Sequence, residues 1–496
     1  VRWGLPMAKG VTNLGTAIAI GSLAFAAYAL SAKTPQLIKT MNLAAFGAGL
    51  WTIFGALSFL FTYLSVTGSA FSTSEVFGQG LWLFATDIEF GRYLALNVLA
   101  GAILTVLALA FQSLTSALLL AALGLLGLVP IALTGHAAGV ANHALAVNSI
   151  GMHLVAVTIW VGGLAALVSA RDSDPERQAN LVKRYSTLAL IAFAIVAISG
   201  ISVALLGLGS LKNIFTPYGL LVLMKSAALL LLGAIGGHYR YRLIGRMATV
   251  TAKAKEFWLI VAGELLVMGA AVGLGTALSR TAPPEDPLAS FVPTPASILT
   301  GEPLPPELLP ETWLTAWRID ILWTTIAAGA ILIYLVGVWR LKRRGDEWPL
   351  VRTLSWVAGW TFLFYITSGA PNVYEQYLFS VHMIAHMMLT MGVPLLLVPG
   401  APITLLVRAA AKRKDDSRGL REWALWAVHT KWAQVVSNPI FAGVNFAASL
   451  VIFYFTPIFS WATREHVGHQ WMIIHFVITG YLFVQALVGI DPGPQQ

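Results

Sequence analysis

Long apolar stretches recur along the chain and constrain its fold more than any other feature of the sequence. Thirteen stretches are long enough to cross a membrane as helices, for which roughly 20 apolar residues are needed. Of the 496 residues, 57% are hydrophobic and 11% are charged, whereas a soluble domain carries about 25% charged residues. The sequence therefore predicts an all-α, polytopic transmembrane helical protein with about 13 spans.

The predicted spans form two groups separated by a stretch rich in proline and acidic residues. The first eight lie near 11–31, 42–66, 91–112, 114–134, 146–170, 184–208, 217–238 and 257–279, and the other five lie near 317–339, 350–368, 379–407, 438–457 and 470–490. Proline-rich stretches between periodic segments are typical of linkers. We therefore predict a transmembrane domain over 1–280, an outer linker over 281–316 and a second transmembrane domain over 317–496.

Positive charge is divided unequally between the two sides of these spans. The loops over 32–40, 171–184, 239–256, 340–352 and 408–432 carry 23 of the 31 Lys and Arg residues, whereas the opposite side has seven. Cytoplasmic loops are enriched in Lys and Arg, so the net charge of +9 is interpreted as membrane topology and not as a nucleic-acid surface. We expect a bacterial plasma-membrane protein whose N-terminus lies outside and whose C-terminus is cytoplasmic.

The histidines gather at the outer side of this predicted topology. Those at or near the outer face are His136, His143, His153, His382, His386, His466, His469 and His475, eight of the ten in the chain. The orientation was derived from Lys and Arg alone, so the segregation independently supports a metal or haem site that faces outside. The chain has no cysteine, which excludes thiolate sites and leaves His, Met, Asp, Glu or backbone as metal ligands.

The stretch SVHMIAHMMLTMGVP over 380–394 contains the clearest candidate site. His382 and His386 are four residues apart, so they share one face of a helix. A stripe of methionines lies beside them, formed by Met383, Met387 and Met391. Thioether sulfur favours Cu(I), and imidazole binds Cu(I) or Cu(II). The alternative is that the methionines only pack against neighbouring helices. His475 is the next candidate because its predicted span also begins at the outer boundary.

A histidine and glycine pattern occupies residues 130–170. The residues that carry it are Gly135, His136, His143, His153, Trp160, Gly162, Gly163 and Leu164, and TPYGLLVLMK over 216–225 adds a further segment. This pattern resembles the CopD/PcoD copper-resistance membrane family. His136, His143 and His153 are candidate copper ligands if the loop folds back over the helix, and the alternative for His153 is a hydrogen bond to a neighbouring helix.

The last third of the chain carries a second set of motifs. These are the His382 and His386 helix, GAP over 400–402, NP over 438–439, FTP over 455–457 and GYLFVQALVGIDPGP over 480–494. The set resembles the caa3-type CtaG family of cytochrome c oxidase assembly factors. Where that family commonly has M-H-x-H-F, this chain has MIIHF over 472–476. Either His469 or His466 replaces the missing histidine, or the metal site of this domain is weaker than in the family.

The two resemblances also imply what surrounds the chain. CtaG members usually continue beyond the Asp-Pro segment, so we expect this second domain to be incomplete at Gln496, and a chain that begins with Val1 is expected to lack residues before it. A fusion of the two families resembles a form found in actinobacteria.

The resemblances imply copper binding or transport at the outer face, coupled to assembly of a haem–copper cytochrome c oxidase. The expected cofactor is a copper ion, and the expected partners are oxidase subunits, an extracytoplasmic copper chaperone and the lipid bilayer. One alternative is a b-type cytochrome in which haem b lies between histidines of facing helices, such as His153 with His386 or His475. Another is a structural subunit of a respiratory oxidase complex that holds no metal.

Catalytic motifs are absent from the sequence. There is no Walker A, G-x-S-x-G or H-E-x-x-H pattern, so we expect no enzymatic activity. Lys225 and Glu264 lie within predicted spans, where charges are costly and indicate function. Their predicted depths differ by roughly 10 Å at 1.5 Å per residue, so we expect that they do not pair directly.

Overall fold

The chain folds into α-helices joined mostly by short connections. The computed structural model describes residues 3–134, 143–247, 254–279, 281, 284, 294–300 and 302–491. Within these ranges the regular elements are helical, and the extended pairing is an isolated bridge between Ser31 and Ser417. The predicted all-α class is confirmed.

The chain divides into two compact units. Unit 1 comprises residues 1–140, 146–290 and 415–418, and unit 2 comprises 141–145, 291–414 and 419–496. The main change from one unit to the other, after residue 290, falls inside the predicted linker.

The described residues up to 279 form ten α-helices. They are α1 (Gly4–Ala29), α2 (Pro35–Thr67), α3 (Glu75–Thr86), α4 (Glu89–Ala110), α5 (Leu114–Leu126), α6 (Val129–Leu133), α7 (His143–Ser169), α8 (Pro175–Leu208), α9 (Pro217–Met247) and α10 (Ala254–Ser279). A 3-10 segment, Leu211–Phe215, connects α8 to α9.

Small residues bring α1 close to two neighbouring helices. Gly15 on α1 faces α2, where a Cβ added to Gly15 would lie 2.8 Å from the carbonyl oxygen of Gly47. Gly21 on α1 faces Gly162 on α7, and a side chain at Gly162 would meet the α1 backbone at Ala17. Membrane helices associate through this kind of close van der Waals packing.

The described residues from 294 onwards form thirteen α-helices. They are α11 (Pro295–Thr300), α12 (Thr312–Thr315), α13 (Ile321–Arg343), α14 (Leu350–Ser368), α15 (Ala370–Tyr374), α16 (Phe379–Met387), α17 (Val393–Leu397), α18 (Pro402–Ala409), α19 (Leu420–Val428), α20 (Lys431–Val436), α21 (Pro439–Phe455), α22 (Pro457–Arg464) and α23 (His466–Val488). A π-helical turn, Met388–Gly392, joins α16 to α17.

The core of unit 2 surrounds α16 and the π-helical turn. Its buried members include Leu363, Ile366, Ala385, Leu389, Val393, Phe453, Met472, Ile473 and Phe476. These residues come from α14, α16, α21 and α23, from the start of α17 and from the π-helical turn, so the histidine helix lies at the centre of the packing and not at its edge.

Short motifs of unit 2 begin its helices. The side chain of Asn438 accepts a hydrogen bond of 2.9 Å from the N–H of Ile440 at the start of α21. Thr456 caps α22 in the same way, and α22 bends away from α21 by 76°. Asn and Thr side chains satisfy the free N–H groups of a first turn, so these motif residues determine where the helices begin.

The Asp-Pro motif near the end of the chain also caps a helix. The carboxylate of buried Asp491 accepts hydrogen bonds from the N–H groups of Ile403 and Thr404, at 3.1 and 2.9 Å, and so covers the start of α18. Ala401, just before α18, has a φ of 45°, a conformation that is uncommon outside glycine. Two distant motifs of the sequence therefore meet at one helix end.

The membrane spans can be compared with the prediction within the described residues. In the described ranges ten helices are long and apolar enough to cross a membrane, or up to 11 if the bent pair α21 and α22 forms one span. The spans predicted over α10 and α14 are not among them. The part of α10 described as an apolar helix is Val261–Gly275, and Arg352 with several Ser and Thr residues lowers the hydropathy of α14. The multi-pass architecture is confirmed, whereas the count of about 13 is not.

Candidate metal centre

His382 and His386 lie side by side inside unit 2. Both belong to α16, and their ring centroids are 4.8 Å apart. The two residues are only 3% and 1% exposed. An α-helix completes a turn in about 3.6 residues, which is why a spacing of four places both rings on one face. The sequence predicted this shared face, but not that the two rings would be enclosed.

Aromatic side chains from three helices enclose the pair. The His386 ring centroid lies 3.9 Å from that of Phe476 on α23 and 4.9 Å from that of Phe453 on α21. The His382 ring lies 5.4 Å from Phe459 on α22. The bend between α21 and α22 allows Phe453 and Phe459 to approach the same helix. Water is therefore kept from the imidazoles, and a cation held there would lie in a dry site.

Each of the two histidines leaves one ring nitrogen without a hydrogen-bond partner. The Nε2 atoms of His382 and His386 are both buried and have no such partner in the described part of the chain. A buried polar atom without a partner destabilises a protein by about 1–3 kcal/mol and is rare in native structures. Imidazole nitrogen is a good ligand for copper. These two Nε2 atoms are therefore candidate copper ligands.

Tyr454 on α21 is the hydrogen-bond partner of the other His386 nitrogen. Its hydroxyl oxygen lies 2.6 Å from Nδ1 of His386. In the tautomer whose Nδ1–H donates to the Tyr454 oxygen, the lone pair of Nε2 is free to bind a metal. Metal-bound histidines commonly donate their second N–H to such a partner. Tyr454 is thus positioned to orient His386 as a ligand.

The backbone that follows His386 makes two contacts that position the histidine helix against α23. The hydroxyl of Thr390, within the π-helical turn, donates a 2.6 Å hydrogen bond to the carbonyl of His386. Gly480 on α23 packs directly against the carbonyl of Thr390, where a side chain would not fit. This close approach brings Phe476, one turn earlier on α23, onto the His386 ring. π-helical turns of this kind occur frequently at functional sites.

His469, at the beginning of α23, has an acidic neighbour. Its Nε2 lies 3.5 Å from Oε1 of Glu375, just after α15. Burial raises the pKa of the Glu375 carboxyl to about 7, and the charge of Arg318 acts in the opposite direction. Arg318 itself donates hydrogen bonds to the carbonyl and side-chain oxygens of Asn372. The contact of His469 is therefore an ionisable pair with Glu375.

His475 lies close to the pair, but its ring contacts are with other residues. In the described structure it stacks on Trp471 at 4.8 Å and meets Phe476 edge-on at 5.2 Å. Neighbouring residues on a helix point about 100° apart, so Phe476 faces His386 while His475 faces Trp471. His475 still interacts electrostatically with His386. Its role as a ligand stays a prediction.

The candidate methionines do not all face the buried pair. Met387 is 37% exposed, so its thioether lies on a different side of α16 from His386, and Met383 is half-buried. Buried sulfur in this region comes instead from Met472, and partly buried Met388 packs against the same core. The stripe predicted from spacing exists as a pattern on the helix, but the enclosed thioether belongs to α23.

Among the candidate histidines His136, His143 and His153, His153 is the one whose side chain is described. Nδ1 of His153 on α7 lies 3.3 Å from the hydroxyl of Ser199 on α8, which is the hydrogen bond considered as the alternative to a metal. His136 and the side chain of His143 lie outside the described residues. The copper site predicted from His136, His143 and His153 therefore stays a prediction.

A complete cage of metal ligands is not formed by the described residues. Among them no three His, Asp or Glu side chains converge as a metal site. A metal held by His382 and His386 would therefore keep coordination positions open for a further ligand. Sequence reasoning missed Tyr454 and Glu375. A tyrosine hydroxyl inside an apolar span, which needs a hydrogen-bond partner when buried, was the available signal for Tyr454.

Three family descriptions match successive parts of the chain. "Copper resistance protein D-like, N-terminal domain" matches residues 1–144, "Copper resistance protein D" matches 179–278, and "Cytochrome c oxidase caa3 assembly factor (Caa3_CtaG)" matches 332–496. The chain is a fusion of a copper resistance protein D module and a Caa3_CtaG module. The His382 and His386 pair lies in the Caa3_CtaG module, whereas His153 falls between the two copper resistance matches.

Curated relatives match part of this fusion. An uncharacterized protein of Mycobacterium tuberculosis (strain CDC 1551 / Oshkosh) is 43% identical over 197 residues, which are 39% of this chain and 29% of that protein. One from Mycobacterium leprae (strain TN) is 40% identical over 198 residues, with the same two shares.

A more distant relative has a function in its name. The copper transport protein CutJ of Bacillus subtilis (strain 168) is 28% identical over 198 residues, which are 38% of this chain and 31% of CutJ. The chain spans less than a third of the length of the curated relatives it matches. No solved structure matches it.

Proposed function

We propose that this fusion binds copper at the outer face of a bacterial plasma membrane and supplies it to the assembly of a haem–copper cytochrome c oxidase. In this proposal copper is the cargo of the protein. The two kinds of module matched by the chain and the resemblance to a copper transport protein support it. The N-terminus of the chain is outside and the C-terminus is cytoplasmic, as the distribution of Lys and Arg favours.

The observation that carries the proposal is the pair of buried, unpartnered Nε2 atoms on His382 and His386. These two nitrogens would hold the copper ion, and a hydrogen bond from Nδ1–H of His386 to the Tyr454 oxygen would leave the lone pair of Nε2 free. The ion supplies an acceptor for two lone pairs that are otherwise left without a partner. The aromatic walls exclude water, which protects Cu(I) from hydration and exchange with solvent.

The copper resistance module would bind or move copper, and the Caa3_CtaG module would deliver it. Joining two binding modules in one chain raises the effective concentration of one at the other. An extracytoplasmic chaperone is a fitting source of copper, and the oxidase subunits are the fitting recipients.

The cytochrome alternative fits the geometry less well. In that alternative His386 binds haem together with a histidine of a facing helix, which requires open space beside the His386 ring. Phe453 and Phe476 pack directly on His386, in the space that a porphyrin would need.

Metal analysis with a visible spectrum tests the proposal. The purified chain is loaded with Cu(I), washed and analysed for copper, and its reduced-minus-oxidised spectrum is recorded. The same measurements are made on the His382→Ala/His386→Ala double variant and on His429→Ala. His429 is an exposed histidine whose Nδ1 contacts the Leu425 carbonyl, so it is a matched control for adventitious imidazole binding.

We expect stoichiometric copper in the parent chain and in His429→Ala, and its loss in the double variant. Equal copper in all three proteins would contradict the assignment of the site. A Soret band would favour the b-type cytochrome. The absence of both copper and haem would favour a structural subunit of an oxidase complex.

A further inference from the structure

Unit 1 contains an intramembrane carboxyl group that the copper proposal does not use. Glu264 on α10 accepts a hydrogen bond of 2.9 Å from the hydroxyl of Tyr185 on α8. Tyr185 is buried, and its ring packs against Gly163 of α7. A carboxylate inside a membrane is costly while it is ionised and marks function by default.

A second polar group lies elsewhere in the same set of helices. It joins His153 on α7, Ser199 on α8 and Lys225 on α9. His153 and Ser199 are 3.3 Å apart, and Lys225 interacts electrostatically with His153. The Lys225 ammonium lies beside α10 at Gly275, where an added Cβ would be 3.6 Å away. As the sequence predicted, Lys225 does not pair with Glu264.

The two polar groups lie at different depths. From Tyr185 to Ser199, α8 rises roughly 21 Å, and from Glu264 to Gly275, α10 rises roughly 16 Å. The hydrocarbon core of a membrane is about 30 Å thick. The groups are therefore separated by more than half of that thickness.

Aromatic rings fill the space between the two polar groups. Trp160 on α7 meets Phe193 on α8 edge-on, with centroids 6.1 Å apart. Phe193 in turn packs on Gly233 of α9, where a Cβ would lie 2.7 Å from its ring. The arrangement is polar, then aromatic, then polar along the same helices, so a proton that moves between the two groups has to pass these rings.

We propose that the Tyr185–Glu264 pair is a proton-binding site within the membrane and one end of a proton path that leads to the His153, Ser199 and Lys225 group. A proton from water converts the Glu264 carboxylate to a neutral carboxyl group, and its release to water restores the carboxylate. The Tyr185 hydroxyl donates to the same oxygen in both states, so the exchange needs no other reactant. Chains of acidic residues and histidines form proton relays in other membrane proteins.

The groups that face Glu264 are few in the described part of the chain. The titratable residue in contact with Glu264 is Tyr185 on α8. Helix α9 contributes Lys225, but at the depth of Gly275, and α7 contributes Trp160, which carries no charge. A change in protonation at Glu264 can therefore be assigned to this pair.

Infrared spectroscopy of the full chain in lipid, with no metal present, tests the proton site. Buffers are exchanged from mildly acidic to mildly alkaline, and the carboxyl C=O band is followed. We expect a pH-dependent band that is lost in Glu264→Gln, kept in Glu176→Gln and moved to a different pH in Tyr185→Phe. Glu176 is an exposed acid at the start of α8 and serves as the matched control. Identical spectra for the parent chain and Glu264→Gln would overturn the proton site.

Proton movement into liposomes tests the path. The chain is reconstituted with a pH-sensitive dye inside the vesicles, and a potassium diffusion potential drives protons. We expect a flux above that of empty liposomes that is lost in Glu264→Gln, lowered in Ser199→Ala and unchanged in Glu176→Gln. Equal flux in the parent chain and Glu264→Gln, or no flux above empty liposomes, would overturn the path. Both assays omit copper, so their outcome is independent of the copper proposal.

Discussion

Replacement of Tyr454 by phenylalanine is the sharpest test of how the histidine pair works. The change removes only the hydroxyl, which lies 2.6 Å from Nδ1 of His386. The ring itself keeps its contacts with Phe453 at 5.1 Å and Phe459 at 5.5 Å. The aromatic enclosure is thereby retained, while Nδ1 of His386 loses its hydrogen-bond partner.

The expected effect follows from the role of that hydrogen bond. Loss of the outer partner of a metal-bound histidine typically lowers metal affinity by roughly 10- to 100-fold, which corresponds to about 1.4–2.7 kcal/mol. Loss of a neutral hydrogen bond lowers folding stability by only about 1 kcal/mol. We therefore expect Tyr454→Phe to fold normally and to bind Cu(I) more weakly.

The assay is a competition titration of Cu(I) against a chromogenic chelator, in detergent, with a thermal melt of the same sample. Tyr365→Phe is the matched control because it also removes a tyrosine hydroxyl that makes a partly buried hydrogen bond, which Tyr365 donates to the Trp313 carbonyl at 2.8 Å. The reasoning is refuted if Tyr454→Phe and Tyr365→Phe bind Cu(I) equally well while His386→Ala does not.

Three further changes test the structure around the site. Gly480→Ala should lower the free energy of unfolding by about 1–3 kcal/mol through overpacking against Thr390, whereas Gly443→Ala, whose added Cβ meets its nearest atom at 3.8 Å, should be nearly neutral in the same denaturation assay. Asp491→Ala should cost about 1 kcal/mol because α18 loses its cap, and an unchanged melting temperature would contradict that role. Burial raises the pKa of Glu375 from 4.5 to about 7, so the folded state binds the proton of this carboxyl group more tightly than the unfolded state does. The contribution of Glu375 to the free energy of unfolding is therefore greatest below about pH 4.5 and declines until about pH 7. Melting curves across that range should show the decline in the parent chain and a flatter profile in Glu375→Gln.

The helical architecture could be predicted because lipid leaves the backbone few alternatives. Apolar runs of sufficient length become helices whatever their neighbours, and the spacing of His382 and His386 then determines that they share a face. The caps could also have been recognised, since Asn438 and Thr456 each precede a proline that begins a helix. Thr456 and Pro457 also predict the bend after Phe455, because an N-cap residue followed by proline marks the start of a new helix.

Side-chain partners could not be predicted, because they depend on how helices distant in sequence rotate against each other. His475 and Phe476 are equally good residues to face a neighbour, and the approach of Gly480 to Thr390 decides in favour of Phe476. The contact between Tyr454 and His386 joins two residues on different helices that are 68 positions apart in the sequence. Periodicity within one helix holds no information on such a rotation.

The π-helical turn has a consequence for how this site changes in evolution. Met388–Gly392 holds one residue more than an α-helical turn needs, and each residue rotates the preceding segment by about 100°. A single deletion within that turn would straighten the helix and carry both imidazoles away from Tyr454, without altering any residue that touches them. Loss of the site in a related chain would then leave every ligand in the alignment intact, and a gap one position wide would be its only trace.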